Sequence, residues 1–301
     1  MKLAAIDIGS NAVRLQIVRT VSNDPTEKFK KVEFVRIPVR LGDDAFKEKK
    51  ISKEKRLIFY KAMAAFKLIL DAFEVDHYMA CATSARREAS NGQKIVDKVY
   101  KKFGLEIQII DGKQESELIL KSIENIFEAK KNYLTIDVGG GSTEMTVIKN
   151  KKVLSSVSFD IGTVRMMDGA VKEKTWQTIE SWVRHKTDGI PDISAVVTSG
   201  TINKIFSIIA ESPDQHYFTR EQLKNFHRKV IKMSVIERIE QLKLNPDRAD
   251  IIDVSADIYL RILNWANIDK VFSPDNTGLK DGILNDLYAK KFLQLDEVKI
   301  K

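Results

Sequence analysis

The chain has 301 residues, 43% hydrophobic and 31% charged, which describes a globular protein long enough for two domains, each able to bury its own core. No apolar run approaches the roughly 18 to 20 residues of a membrane span, and the opening MKLAAIDIGS reaches Asp7 before a signal-peptide core can form, so the expected compartment is the cytoplasm, with no membrane partner. Lysine and arginine exceed aspartate and glutamate by 50 to 42, a net +8 that permits a polyanionic partner, while no basic block is interleaved with aromatics as in a nucleic-acid reader.

The first segment, LAAIDIGSNAVRLQIV, reads as an apolar strand ending at Asp7, a turn at Gly9 and a second strand with Val13, Leu15 and Ile17 facing one way. A third extended run, KKVEFVRIPVRLG, precedes a helix from about Ser52 to Phe73 with a solvated charged face. Next come the strand HYMACATS, a helix after Asn91, the strand LEIQIID and a helix from about Lys113 to Ala129. The single cysteine, Cys81, lies in HYMACATS; it excludes an internal disulfide and reads as a buried thiol. His77, His185, His216 and His227 lack metal-ligand spacing, so zinc is not expected.

LTIDVGGGSTEMTVI then repeats the opening pattern: a strand ending in a carboxylate, Asp137, a glycine two residues on, small polar residues and a new strand. The plan recurs behind it. KKVLSSVSFDIG is extended, EKTWQTIESWVRHKT is helical, and the strand ISAVVTSGT enters the helix INKIFSIIA. Three further helices are expected, the first opening at Thr219 with Gln222 as a capping box and the last two separated by the strand KVFSP. No Pro-, Gly- or Ser-rich linker marks a join, so repeat phase sets the boundary near Asn125. The domains are then 1–125 and 126–301, with the closing helix, about 285–301, free to pack back onto the first. A duplicated β-β-β-α-β-α-β-α unit implies two similar α/β domains facing each other across a cleft.

The glycine block carries the chemistry. A strand follows Gly139, Gly140 and Gly141, which excludes the dinucleotide fingerprint with its helix, and no G-x-x-x-x-G-K-[ST] exists. One such turn is as readily a plain hairpin; two, each with a carboxylate at the strand end, favour a ligand. Glycines let backbone N–H groups converge on phosphate oxygens, and Ser142 and Thr143 add hydroxyls. Asp7, Asp137 and Glu144 can hold Mg²⁺, directly or through water. Ser10 and Asn11 occupy the first turn and can bind phosphate or water. Ser199, Gly200 and Thr201 join a strand to a helix, where N-terminal amides serve either an ordinary cap or a phosphate.

AIDIGSNAVRL, ATSARREASNG, TIDVGGGSTEM and SGT within VVTSGTINKI resemble the signature blocks of the exopolyphosphatase and guanosine pentaphosphate phosphohydrolase family. RADIIDVSADIYLRIL and SPDNTGLKDGIL resemble its closing segments, so the likeness runs almost end to end and is closest to the short, two-domain form. It implies two ribonuclease H-like domains of the superfamily of acetate and sugar kinases, heat-shock cognate chaperones and actin.

It also implies release of a terminal phosphate by water that a glutamate activates beside Mg²⁺, with Mn²⁺ as a substitute and K⁺ as an accompanying ion. By position that glutamate is Glu115. Family members have two adjacent glutamates followed by Ala-Arg, whereas here Gln114 precedes Glu115 and Ser116 and Glu117 follow, which leaves Glu117 a rival and a plain first-turn glutamate the alternative. Arg87 matches the family's phosphate-contacting arginine, whose fork suits phosphate, while Arg86 faces elsewhere; an ion pair is the bland reading of both. Ala12 stands where the family prefers a hydroxyl. The resemblance further implies a homodimer.

The expected function is an exopolyphosphatase acting on inorganic polyphosphate. The alternatives are a hydrolase of guanosine pentaphosphate (pppGpp), a sensor that binds polyphosphate or (p)ppGpp without turnover, and an ATP-dependent kinase. The kinase is disfavoured because TSGTINK carries only Gly200 where paired glycines close an adenosine pocket.

Overall fold

The computed structural model describes residues 1–21, 28–212 and 214–299, with side chains through Lys291; Ile300 and Lys301 of the expected closing helix lie outside the described residues. The chain divides into two compact units, Met1–Ser122 with Leu279–Lys301 and Ile123–Gly278. In the first, β1 (Lys2–Ile8), β2 (Val13–Thr20) and β3 (Phe29–Ile37) lead to α1 (Leu41–Lys47), α2 (Lys53–Ala72), β4 (His77–Ala82), α3 (Ser84–Glu88), α4 (Gly92–Phe103), β5 (Gln108–Ile109) and α5 (Gly112–Ile123). The sheet order is β3-β2-β1-β4-β5, antiparallel through the first three strands in sequence and parallel from β1 to β4 and from β4 to β5.

The second unit opens on a 3-10 turn, Glu124–Ile126, and continues with β6 (Asn132–Val138), β7 (Thr143–Lys149), β8 (Lys152–Phe159), α6 (Thr163–Met167), α7 (Glu173–Thr187), β9 (Ile193–Thr198) and α8 (Gly200–Ile209). After these come β10 (Tyr217–Thr219), α9 (Arg220–Val230), α10 (Val235–Leu242), α11 (Pro246–Ala249), α12 (Ile252–Trp265) and β11 (Lys270–Phe272). Taken from the β8 edge, its sheet runs β8-β7-β6-β9-β11-β10, which repeats the first sheet strand for strand before adding β10. The register shifts after Ile17 in β2 and after Val147 in β7, the same place in the second strand of each hairpin. Both units are α/β, as the repeated pattern implies, with the ribonuclease H-like arrangement that the resemblance implies.

Central strands are covered on both faces, so they read as continuous apolar runs: Leu3, Ala4, Ala5 and Ile6 have no exposed surface. The edge strands β3 and β8 are most exposed at their starts, where they carry Lys30, Lys31 and Lys152, which discourage pairing with a further strand. Ser52 caps α2 by accepting the Lys55 N–H at 3.2 Å, and the helix buries Phe59, Ala62, Met63, Phe66 and Leu70.

Several elements depart from the sequence reading, the short α1, α3, α6 and β10 among them. LEIQIID pairs only through the two residues of β5, and the helix expected to reach Ala129 ends at Ile123. Four helices rather than two lie between Thr219 and β11: the capping box at Thr219 and Gln222 is present, and a second one, Ser234 with Glu237, starts α10. Lys243, in the left-handed region at φ 52°, and Pro246 at the start of α11 break the apolar run again.

The last helix, α13 (Leu279–Lys299), belongs to the first unit along its whole length. The first unit thus ends at Ser122 and resumes at Leu279, where the sequence placed a boundary near Asn125 and a return from about residue 285. Leu279, Ile283, Leu284 and Leu287 pack with Leu3, Ala5, Cys81, Leu118 and Ile119. Gly282 permits this packing, because a Cβ there would stand 1.8 Å from the Leu118 carbonyl oxygen of α5. Lys121 of α5 reaches Asp286 at 2.5 Å, and Asn285 donates to the Lys121 carbonyl at 2.9 Å.

Candidate active site

In the second hairpin the Gly139 N–H closes the turn on the Ser142 carbonyl at 2.9 Å. The carbonyls of the glycines are taken by the start of α6: Gly139 accepts from Thr163, Gly140 from Val164 and Arg165, and Gly141 from the Arg165 Nε at 2.8 Å. The N–H groups of Gly140, Gly141 and Ser142 have no acceptor among the described residues. A turn whose carbonyls are spent and whose amides are not presents its positive side to a ligand.

None of the three glycines has positive φ, so the turn's conformation alone does not require them. The close approach falls on another glycine: a Cβ on Gly162 would lie 2.5 Å from the Gly140 carbonyl carbon, so the loop and the start of α6 are in backbone contact. Arg165, buried and bonded to the loop, was not singled out from the sequence. Thr143 differs from its expected role. Its hydroxyl is fully buried and donates to the Ile161 carbonyl at 2.7 Å, so it holds the loop and has no proton left for phosphate.

Ser158, Glu144, Asp137 and Thr198 stand in register on four neighbouring strands, which puts their side chains in one row on one face. Ser158 donates to Glu144 at 2.7 Å, and the Thr198 hydroxyl donates to Asp137. Like charges directly opposite each other on a sheet repel, and a cation between Asp137 and Glu144 would relieve this. Among the described residues no group of three or more His, Cys, Asp or Glu gathers. Ser199 caps α8, and a Cβ on Gly200 would lie 3.2 Å from Nη2 of Arg248, so a guanidinium stands over the first turn of this helix. Arg248, on α11, is a further basic residue that the sequence pattern did not mark.

The first hairpin has the same turn with different side chains. The Gly9 N–H bonds the Ala12 carbonyl at 3.1 Å, and the carbonyls of Ser10 and Asn11 accept from Gly42 and Arg40 at the start of α1, each at 2.8 Å. Ser10 bonds Ser84 of α3 through its hydroxyl at 3.0 Å, and Asn11 is buried. Asp7, expected as a metal ligand, is ion-paired with Arg14 directly across the ladder at 2.6 Å. Arg87 is half-buried and donates to the Ile110 carbonyl at 2.9 Å, two residues before α5 starts.

At that start, Asp111 and Gln114 cap each other reciprocally at 2.8 and 3.0 Å. Gln114, where the family has glutamate, thus holds the first turn in which Glu115 sits. Glu115 is 8% exposed, whereas Glu117 points to solvent. Cys81 is fully buried; burial and the charges of Asp7, Asp286 and Glu115 push its thiol up to about 12, so it stays protonated. Arg86 is buried with its guanidinium 3.7 Å above the Phe59 ring. The first unit thus carries Ser10, Asn11, Arg87 and Glu115, and the second carries the amide-presenting loop, the carboxylate row and the α8 N-terminus.

Residues 20–291 match the profile of the Ppx/GppA phosphatase family. The chain belongs to that family. Among curated proteins it is 26% identical to a bifunctional 3-dehydroquinate synthase/phosphatase of Fusobacterium nucleatum over 95% of this chain and 47% of that one. It is 22% identical to a guanosine-5'-triphosphate,3'-diphosphate pyrophosphatase of Aliivibrio fischeri over 98% of this chain and 60% of that one. A putative exopolyphosphatase of Haemophilus influenzae is 24% identical over 99% of this chain and 94% of its own length. The chain therefore spans about half to three fifths of the first two relatives and nearly all of the third. Among solved structures, an exopolyphosphatase from Cytophaga hutchinsonii shares the fold with a TM-score of 0.82 at 21% identity, covering 95% of this chain and 97% of that one. The Aquifex aeolicus family member does so with a TM-score of 0.75 at 22% identity, covering 97% and 98%. Among the described residues no helix is long and apolar enough to cross a membrane.

Proposed function

We propose that this chain is a phosphoanhydride hydrolase that releases terminal orthophosphate from inorganic polyphosphate. The observation that carries the reading is the placement of Glu115, held inward in the capped first turn of α5 while its rival Glu117 lies in solvent. In this reading Glu115 accepts a proton from the attacking water as the water oxygen bonds the terminal phosphorus. The bridging P–O bond breaks, and its electron pair leaves with the shortened polyphosphate. Arg87 binds phosphate oxygens through its fork. The amides of Gly140, Gly141 and Ser142 and the α8 N-terminus at Ser199, Gly200 and Thr201, with Arg248 above it, hold phosphates of the chain. Asp137 and Glu144 would hold Mg²⁺, or Mn²⁺ in its place, which when bound offsets negative charge on the phosphates. Asp7, paired with Arg14, is left out of that set. Assembly as a homodimer completes the reading and is checked by sedimentation.

A second reading, hydrolysis of guanosine pentaphosphate, is favoured by the name of the Aliivibrio fischeri relative and uses the same machinery. Orthophosphate release is to be measured from polyphosphate of several lengths, from guanosine pentaphosphate and from ATP, each with Mg²⁺. Release from polyphosphate is expected. Release from guanosine pentaphosphate alone moves the assignment to the second reading, and no release from any of them leaves a binding protein.

A further inference from the structure

Tyr259, on α12, has no exposed surface, yet its hydroxyl lies where the two strand ends of the second unit's site come together. It accepts the Val138 N–H at 3.1 Å, donates to the Thr198 carbonyl at 2.6 Å and lies 3.3 Å from the Ser199 hydroxyl. Because the tyrosine proton goes to Thr198, the Ser199 hydroxyl must be the donor in the third bond. That leaves a Ser199 lone pair for the Ile202 N–H, the cap of α8. Burial, and then the charge of Asp137, push the ionisation of this phenol upward, so it remains a donor.

The three partners adjoin the groups that the proposed chemistry needs fixed. The Val138 N–H belongs to the peptide that follows Asp137. The Thr198 side chain holds the Asp137 carboxylate, while its carbonyl is held by Tyr259. Ser199 has φ 116° and ψ 149°, a conformation essentially confined to glycine, which persists only where surrounding bonds impose it. We infer that Tyr259 is a positioning residue whose hydroxyl clamps the ends of β6 and β9, setting the Asp137 carboxylate and the strained Ser199 cap in place for metal and phosphate. This inference rests on the function proposed above for the same residues.

The test is Tyr259→Phe, which keeps the ring and removes the clamp, beside Tyr133→Phe. Tyr133 is also buried in this unit, but it lies at the opposite end of β6 from Asp137, where its hydroxyl accepts the Glu128 N–H at 3.3 Å. Orthophosphate release is titrated with Mg²⁺, and Mg²⁺ binding and amide exchange across residues 137–143 and 197–203 are measured directly. Tyr259→Phe should lower kcat by at least about tenfold or raise the Mg²⁺ requirement as much, since misplacement of a site by about 1 Å can cost about a hundredfold. It should also speed exchange in both segments, and Tyr133→Phe should do none of this. Equal exchange and equal Mg²⁺ binding in Tyr259→Phe and the unaltered protein overturn the clamp. If the unaltered protein releases no phosphate, the proposed hydrolysis fails, while exchange and ion binding still decide the clamp. If the variant does not fold, a slowly exchanging Tyr259 hydroxyl proton with a cross-peak to the Val138 amide is expected in the unaltered protein, and its absence overturns the inference.

Discussion

The two hairpins share a turn, a register shift and a place in their sheets, and they differ in the residue opposite the strand-end aspartate. Asp7 faces Arg14 and pairs with it at 2.6 Å; Asp137 faces Glu144. The next strand continues each theme, with Arg36 in register with Arg14 and Ser158 in register with Glu144. One row is therefore net positive and the other carries two adjacent carboxylates. Duplication preserved the backbone device, a turn whose carbonyls are spent on a following helix, while the side chains diverged. In the proposed chemistry the cation belongs to the second copy, and the first contributes the base and an arginine.

The largest expected effect separates these contributions. Glu115→Gln should lower turnover at least about a hundredfold, roughly 3 kcal/mol of barrier, without changing the Mg²⁺ concentration for half-maximal rate. Glu117→Gln should do neither. Loss of rate in Glu117→Gln with a normal Glu115→Gln would exchange their roles. A smaller effect is expected in the second row: Asp137→Asn or Glu144→Gln should raise the Mg²⁺ requirement by about tenfold or more, whereas Asp7→Asn should leave that requirement unchanged. A shift with Asp7→Asn as large as with Asp137→Asn would show that the two copies had not diverged in this way.

Much of this was legible in the sequence, because a strand-turn-strand with Asp and Gly at fixed spacing is a local pattern, and finding it twice located both sheets. Glu115 and Arg87 came from block resemblance, and the structure adds why Gln114 is tolerated: it caps the helix reciprocally with Asp111. What stayed hidden depends on contacts distant in the chain. Thr143 carries a hydroxyl beside the glycines, but Ile161 takes its proton. Arg165, Arg248 and Tyr259 meet the site from 24 to 121 residues away or by packing over it, and no local spacing marks them. The return of α13 to the first unit rests on one absent side chain, at Gly282.

Both units bury arginines, and those of the second, Arg165 and Arg238, are hydrogen-bonded. Arg86 is buried beside Arg87, and among the described residues its Nε, Nη1 and Nη2 have no hydrogen-bond partner; its guanidinium lies over the Phe59 ring. Burial lowers its pKa to about 9. With a folded value below the unfolded one, the penalty is fully present at neutral pH and lessens as pH rises above about 9, where the unfolded chain binds the extra proton. Arg86→Met should therefore stabilise the first unit by about 1 kcal/mol, the gain from removing a buried charge outweighing the lost ring contact. Urea unfolding followed by amide exchange would assign the change to its unit, and destabilisation there would show that the ring contact outweighs the desolvation.

The smallest effect concerns the closing helix, which anchors the helix that carries Glu115. Burial would raise the Asp286 carboxyl, but the ammonium groups of Lys121 at 2.5 Å and Lys290 at 2.7 Å outweigh it and hold the carboxyl below its usual range. A depressed folded value means that this contribution is complete above the ordinary aspartate value, about pH 3.9, and is lost as pH falls through the lower folded one. Asp286→Asn should thus lower the urea midpoint of the first unit at pH 7 and narrow its gap from the unaltered protein as pH falls below about 4, with the second unit unmoved. A gap that persists undiminished in acid would mean that Asp286 secures α13 by packing rather than by charge.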